Sequence, residues 1–345
     1  MLKKLYLHHF RNYEEKRFDF SSSKVLLCGP NGIGKTNVLE AIYYLSVLRS
    51  FKNTSVRELI QNEKECFNIM ALADDGRNEA KIHIEQWKNG NRSCSVNGIA
   101  EKKTSALINN FRTVVFAPED RMIISGTAAL RRRFFDILIS LEDNSYLHDL
   151  QQFKHALAQR NAILKKGELT SKSSVFMPFE ELMAFHGAKI MAQRNIFAEK
   201  ISKEVNLLAN DDKFHIQYRP HWKSDDLNSI CQSLARNRHR DFQKGFTTEG
   251  IQLDDFEMIL NGFAMRNFAS SGQIRIHSLY LKMAEFNLSL AGGRKLIALI
   301  DDVTGELDKE NEEKFFTLLD NAEQSFFTFT APRQISLSQQ LISLS

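Results

Sequence analysis

Eight consecutive residues, Gly29-Pro30-Asn31-Gly32-Ile33-Gly34-Lys35-Thr36, fit the pattern G-x-x-x-x-G-K-[ST]. That pattern builds a phosphate-binding loop between a strand and a helix. Glycines let backbone N–H groups turn inward around a phosphate where a side chain would block the approach. The following helix start adds the positive end of its dipole. Lys35 would reach the outer phosphates of a nucleoside triphosphate, and Thr36 would ligate Mg²⁺. The flanks agree. Lys24 to Cys28 is a short apolar run suited to a buried strand, and Val38, Leu39, Ala41, Ile42, Leu45 and Leu48 recur at helical spacing. The residues predict nucleotide binding.

A phosphate loop needs a carboxylate to complete the metal site. Five apolar residues, Leu296 to Ile300, run into Asp301-Asp302, at the C-terminal end of a strand where α/β sites form. Asp301 would hold Mg²⁺ through water, and Asp302 would orient or deprotonate the attacking water. Upstream, Ser270-Ser271-Gly272-Gln273 sits where a loop enters a helix. Its place resembles the signature motif of ABC-type ATPases, whose serine and helix N-terminus bind the γ-phosphate of ATP held by a second copy. The same serines would also serve as an N-cap. Gly305-Glu306-Leu307-Asp308 matches the position of the ABC D-loop along a dimer seam. Thr328 and Thr330 stand where a γ-phosphate sensor would lie, a place usually held by His in transporter subunits.

The elements that must position these residues can be read from composition and periodicity. The chain has 345 residues, 43% hydrophobic and 26% charged, with a net charge of +4. Such values describe a globular protein with ample core. No run approaches the roughly 18 apolar residues of a membrane span, and the start at Met1 lacks a signal-peptide pattern, so a cytoplasmic location is expected, without a membrane partner. Cys28, Cys66, Cys94 and Cys231 are scattered, which argues against zinc and disulfides. Leu5 to Phe10 and Lys16 to Phe20 predict two paired strands, with His8 and His9 on opposite faces. Phe67 to Ala73, Ala80 to Trp87 and Arg92 to Val96 predict an antiparallel meander with Asn89-Gly90 and Asn97-Gly98 as hairpin turns. Helical periodicity dominates from Glu119 to about Arg240, and Gly167 to Ser174 forms a polar break. After residue 250 the pattern returns to α/β, and the last residues predict a helical tail. The expected division is an ATPase lobe of residues 1–117 and 251–345 with an inserted helical lobe of residues 118–250.

Phe10-Arg11-Asn12-Tyr13, the run Thr36 to Tyr43, Arg49-Ser50-Phe51-Lys52, Ala117-Pro118-Glu119-Asp120, Arg131 to Asp136, Gln159-Arg160-Asn161-Ala162 and Asp301-Asp302-Val303 with Glu306-Leu307-Asp308 occur in this order along the chain. Together they resemble the segments of the RecF family of bacterial DNA replication and repair ATPases, relatives of the SMC proteins, over nearly the whole length. The resemblance implies an α/β fold of the ABC-type ATPase head with an inserted mainly helical lobe. It also implies an ATP-dependent homodimer that binds DNA at gaps or single-strand/double-strand junctions. Such proteins act with RecO and RecR to help load RecA in gap repair and the SOS response, as weak ATPases using ATP and Mg²⁺. By position, Arg11, Asn12 and Asp308 would lie near the nucleotide. The family's "GPHRDD" segment reads here Gly250-Ile251-Gln252-Leu253-Asp254-Asp255, the signature reads SSGQ in place of SQGQ, and the D-loop serine is Gly305. These departures keep open a scaffold that binds nucleotide with little hydrolysis. An ABC transporter subunit is the other alternative, and it would want a glutamine loop and a switch histidine. Candidate phosphate contacts for DNA are Arg131 to Arg133, Lys154, Arg160, Lys165, Lys166, Arg236, Arg238, Arg240 and Lys244.

Overall fold

The computed structural model describes residues 1–52, 54–74, 78–101, 112–165, 173–211, 213–291, 295–303, 307–332, 334–336 and 338–344. In chain order it opens with strands β1 (Leu2–Phe10), β2 (Tyr13–Asp19) and β3 (Lys24–Cys28), followed by helices α1 (Lys35–Val47) and α2 (Val56–Leu59). Strands β4 (Cys66–Asp74), β5 (Glu79–Trp87), β6 (Arg92–Val96), β7 (Ile99–Ala100) and β8 (Arg112–Phe116) come next. Helices α3 (Arg121–Ser125), α4 (Ala128–Glu142), α5 (Asn144–Lys165) and α6 (Met177–Ala209) then precede β9 (Phe214–Arg219) and α7 (Leu227–Lys244). The remainder is β10 (Asp255–Leu260), β11 (Phe263–Ala264), α8 (Met265–Phe268), α9 (Ser271–Ala291), β12 (Leu296–Asp301), α10 (Lys309–Leu319), β13 (Gln324–Phe329) and β14 (Gln339–Ser343).

Contacts divide the chain into two units, Met1–Asp120 with Glu285–Ser345, and Arg121–Ala284. The first unit holds two sheets. One is antiparallel, in the order β2-β1-β4-β5-β6-β7. The other is parallel throughout, in the order β14-β3-β13-β12-β8. Strands buried on both faces read as continuous apolar runs, and β12, Leu-Ile-Ala-Leu-Ile-Asp, is buried at all of its positions. Helix α1 touches β1 on one side and β8, β12 and β13 on the other. That double contact explains why Val38 to Ser46 are all buried, an unbroken stretch where an amphipathic helix would show a polar face. Each large apolar side chain buried there contributes about 1.5–3 kcal/mol.

Four sequence expectations change. His8 and His9 do not alternate: His9 takes φ 53°, a bulge that drops it from both neighbouring ladders, and the two rings lie 3.7 Å apart. Strand β10 does not belong to the unit of the phosphate loop, where the expected lobe of residues 251–345 put it. It pairs antiparallel with β9 from Asp255↔Arg219 to Leu260↔Phe214, so the second unit continues past residue 250 to Ala284. Helix α9 therefore starts in one unit and ends in the other. The expected helical tail is strand β14 instead, parallel to β3 from Gln339↔Lys24 to Ser343↔Cys28, because an open edge of β3 offers a full set of backbone partners. Lys166, the 167–172 part of the polar break, Gly305 and Glu306 lie outside the described residues. Among the described residues no helix is long and apolar enough to cross a membrane.

In the second unit, buried arginines tie the elements together. Arg160, fully buried, donates to Glu180 (3.2 Å), Asp241 (2.6 Å), Thr247 (2.8 Å) and the Leu234 carbonyl (3.1 Å). Arg194 donates to Asp136 (2.9 Å) and Asp254 (2.7 Å). Arg131 makes a fork on Asp255 at 2.7 and 2.9 Å. The two acids that close the Gly250–Asp255 segment are thus anchors for Arg194 and Arg131, and this is what the segment does within the unit.

Candidate functional site

Strand β3 delivers the chain into the loop, and α1 begins at Lys35. A cleft of about 300 Å³ opens here, lined by Asn31, Gly32, Gly34, Lys35, Thr36, Asn37 and Lys52 on one side and by Asp301, Asp302, Thr328, Phe329 and Thr330 on the other. Lys35 Nζ donates to the loop's own carbonyls, Gly29 O at 2.7 Å and Pro30 O at 2.8 Å. Gly34 has φ 113°, and a Cβ there would come within 2.7 Å of Tyr13 Oη and 2.8 Å of Asn12 Nδ2. Glycine is required at this position both by conformation and by space.

Asn12 fastens the β1–β2 turn to the loop. Its Nδ2 donates to Ile33 O at 3.0 Å, and its Oδ1 accepts from Asn37 Nδ2 at 2.8 Å, so it spans Gly34 from both sides. Arg11, expected near the nucleotide, turns the other way. It makes a fork on Glu40 at 2.8 Å for both contacts and also donates to Thr54 (2.9 Å) and the Glu58 carbonyl (2.8 Å). Glu40 is fully buried within α1, where an unpaired carboxylate would be very costly. Arg11 therefore neutralises α1 and does not line the cleft. Ser50 also donates to Glu40.

The acidic strand end meets the loop as expected. Thr36 Oγ1 donates to Asp301 Oδ1 at 2.9 Å, and Thr328 Oγ1 donates to the same oxygen at 2.8 Å. Burial pushes the Asp301 carboxyl above the ordinary carboxylate range, partly offset by these two hydroxyls and by Lys52. Thr36 and Asp301 bring two hard oxygen donors together in the cleft, so the pair fits Mg²⁺, Thr36 as a ligand and Asp301 through water. Asp302 is exposed in the cleft with φ 54°, and its N–H donates to Thr328 Oγ1 at 3.2 Å. This left-handed turn swings the second acid out of the strand.

Ser270 to Gln273 are all exposed. Ser270 N donates to Gln273 Oε1 at 2.9 Å, and Gln273 N donates to Ser270 Oγ at 3.2 Å, a capping box at the start of α9. The cap uses the side chains of Ser270 and Gln273, and leaves the hydroxyl of Ser271 and the backbone at Gly272 for a ligand. Asp308 caps α10, accepting from Asn311 N at 2.9 Å, and is not part of the cleft lining. Lys52 and Asn37 line the cleft without having been singled out. Their signal was position only, one in the Arg49–Lys52 segment and one immediately after Thr36.

The DNA-contact candidates divide. Arg131 and Arg160 are buried in ion pairs, Arg132 donates to the Asp254 carbonyl at 2.6 Å, and Arg238 pairs with Glu180. Arg131 and Arg160 are thus not available as surface phosphate contacts, whereas Arg132 and Arg238 are half-buried. Arg236, Arg240 and Lys244 are exposed along one face of α7, and Lys165 is exposed at the end of α5.

Comparison with known proteins agrees over the full length. The family model described as the RecF/RecN/SMC N-terminal domain matches residues 1–344. The chain is 32% identical to the DNA replication and repair protein RecF of Caldanaerobacter subterraneus subsp. tengcongensis, covering 97% of this chain and 95% of that one. It is also 32% identical to RecF of Clostridium botulinum strain 657, covering 97% and 93%. Two solved structures of the recombination mediator protein RecF in the RecFOR pathway are similar. The RecF-ATP structure has a TM-score of 0.89 at 31% identity, covering 97% of this chain and 93% of the other. The RecF-ATPrS structure has a TM-score of 0.88 at 31% identity, covering 100% and 96%.

Proposed function

The chain belongs to the RecF family of DNA replication and repair proteins, within the wider RecF/RecN/SMC N-terminal domain family, and from that premise we propose that it is an ATP-gated dimeric DNA clamp with weak ATPase activity. The observation that carries this reading is the shared oxygen of Asp301, which takes hydroxyl hydrogens from both Thr36 and Thr328 beside Lys35.

The triphosphate of ATP sits against the loop N–H groups between Asn31 and Thr36. Lys35 transfers its ammonium from the Gly29 and Pro30 carbonyls to the β- and γ-phosphates. Thr36 and Asp301 are the residues that would hold Mg²⁺, which would supply charge neutralisation at the phosphates. Asp302 orients or deprotonates the attacking water from the opposite wall, while Thr328 and Thr330 stand beside the γ-phosphate. Asn12 keeps the loop curved around Gly34.

The γ-phosphate shell is completed by Ser271 and Gly272 of a second copy, whose exposure at the helix start supports this role. ATP then binds the closed dimer better than the open one and shifts that equilibrium by its differential affinity. Closing lines up the exposed cations of α7 along duplex DNA at gaps or junctions. RecO and RecR are the expected protein partners, with RecA loading as the outcome, in the bacterial cytoplasm. Hydrolysis removes the bridging phosphate and releases the halves.

Light scattering with ATP, ADP or no nucleotide tests the reading. Dimers with ATP alone, lost in Ser271→Arg, are expected. Monomers in all three conditions would overturn the clamp.

A further inference from the structure

Lys52 brings a second ammonium to the cleft that Lys35 lines, and the phosphate loop does not account for its place there. Helix α1 leaves the cleft at Lys35 and ends at Val47, about 18 Å further on at a rise of 1.5 Å per residue. Leu48 closes the helix with φ 56°, its N–H on the Tyr44 carbonyl, and the chain turns back. Ser50, buried, then donates to Glu40, ten positions earlier. Glu40 lies about 7.5 Å along the helix from Lys35, and two residues span at most about 7 Å. The Ser50–Glu40 contact therefore sets Lys52 within a side chain's reach of the cleft.

Both sides of Lys52 are fastened to one ion pair. Two positions before it, Ser50 Oγ donates to Glu40 Oε1 and accepts from the Lys52 N–H at 3.0 Å. Two positions after it, Thr54 Oγ1 accepts from Arg11 Nη2 at 2.9 Å, and the same nitrogen donates to Glu40 Oε1 at 2.8 Å. Between the two anchors, Phe51 meets Tyr43 of α1 edge-on, with ring centroids 5.7 Å apart. Neither Arg11 nor Glu40 lines the cleft. Packed apolar side chains often stabilise a fold as well as a buried ion pair does. They could not hold two hydroxyls, one on each side of a lysine. Lys52 itself forms no ion pair among the described residues, and its charge is felt at Asp301 on the opposite wall.

We propose that Arg11 and Glu40 are positioning residues for Lys52, fixing Ser50 and Thr54 so that the Lys52 ammonium meets the outer phosphates of a bound nucleoside triphosphate. Arg11 thus acts on the nucleotide without touching it. This role presupposes the nucleotide reading of the cleft and adds to it a cation whose place is set from outside the phosphate loop.

Equilibrium titration with the slowly hydrolysed analogue ATPγS and Mg²⁺, which reads binding and not turnover, tests it on the full chain. The variants are Lys52→Ala, Ser50→Ala, Thr54→Val, and each hydroxyl variant combined with Lys52→Ala. Arg11→Ala is avoided because it would strand the buried Glu40 carboxylate. Lys52→Ala is expected to weaken binding about tenfold, the worth of one hydrogen bond to a charged group. Ser50→Ala and Thr54→Val should each weaken it at least about threefold, and that loss should vanish in the Lys52→Ala background, since effects that pass through one group do not add. Additive losses would mean that the hydroxyls act apart from Lys52 and would overturn the linkage alone. An unweakened Lys52→Ala, or no loss in either hydroxyl variant, would do the same. No binding of ATPγS by the wild type would overturn the nucleotide reading, and the linkage with it.

Discussion

Thr36 and Asp301 stand 265 positions apart in sequence and share a hydrogen bond of 2.9 Å. The phosphate loop and the acidic strand therefore form one site only when β3, β13 and β12 are laid side by side. Asp301→Asn keeps an oxygen that accepts from both Thr36 and Thr328 and removes the charge. Mg²⁺-dependent ATP hydrolysis should fall by about 10–100-fold, while ATP binding in EDTA changes by less than about threefold. Steady-state ATPase rates and equilibrium nucleotide titration check this. Equal loss in both assays would mean that the residue supports the loop and not the metal.

Gly34→Ala should abolish nucleotide binding. The added methyl meets Tyr13 Oη and Asn12 Nδ2 well inside contact distance, and φ 113° suits no other residue. Adding Tyr13→Phe relieves only one of these three conflicts, so the double variant should remain inactive in an ATP-binding titration.

Tyr13 gives a pH signature. Its hydroxyl is buried without a partner among the described residues, and burial pushes its pKa up to about 12. A folded-state pKa raised above the unfolded value near 10 keeps the proton on the native form. Stability is then full below pH 10 and is lost as the pH rises from 10 towards 12. Tyr13→Phe should equal or exceed the wild type at pH 8, and its advantage should grow between pH 10 and 12. Urea unfolding at those pH values measures it. A constant difference would show that the phenol ionises alike in both states.

Buried and exposed arginines should respond to different assays. Arg160→Ala leaves Glu180 and Asp241 with a missing cation and should cost about 3–5 kcal/mol of stability, seen as a lowered denaturation midpoint. Arg240→Gln with Lys244→Gln should leave stability within about 0.5 kcal/mol. That pair should weaken duplex DNA binding and flatten the log K against log salt slope by up to about 0.9 per cation removed. An unchanged slope would remove α7 from the DNA surface.

Local chemistry made much of this legible. The phosphate loop announces itself because eight adjacent residues carry its whole geometry, and β12 announces itself because burial on two faces leaves only apolar letters before Asp301. What escaped depended on distant partners. Arg11 reads as a ligand contact until Glu40, 29 residues later, turns out to need it inside the core. Arg160 reads as a surface cation in a polar helix until Asp241 and Glu180 close around it. Strand β14 has no strong pattern of its own and becomes a strand because β3 has a free edge. The bulge at His9 rests on one backbone angle that no side-chain pattern records.

That last strand bears on how the protein is made. Strand β3 leads straight into the phosphate loop, yet both of its neighbours, β13 and β14, are encoded near the opposite end of the chain. Leu344 N even donates to Cys28 O at 2.8 Å, next to Gly29. At roughly 5–20 residues per second, a growing polypeptide would leave the ribosome for tens of seconds with this segment unpaired. The nucleotide pocket is therefore among the last parts to take shape, and a molecule cut short in translation would carry the loop's letters without its grip.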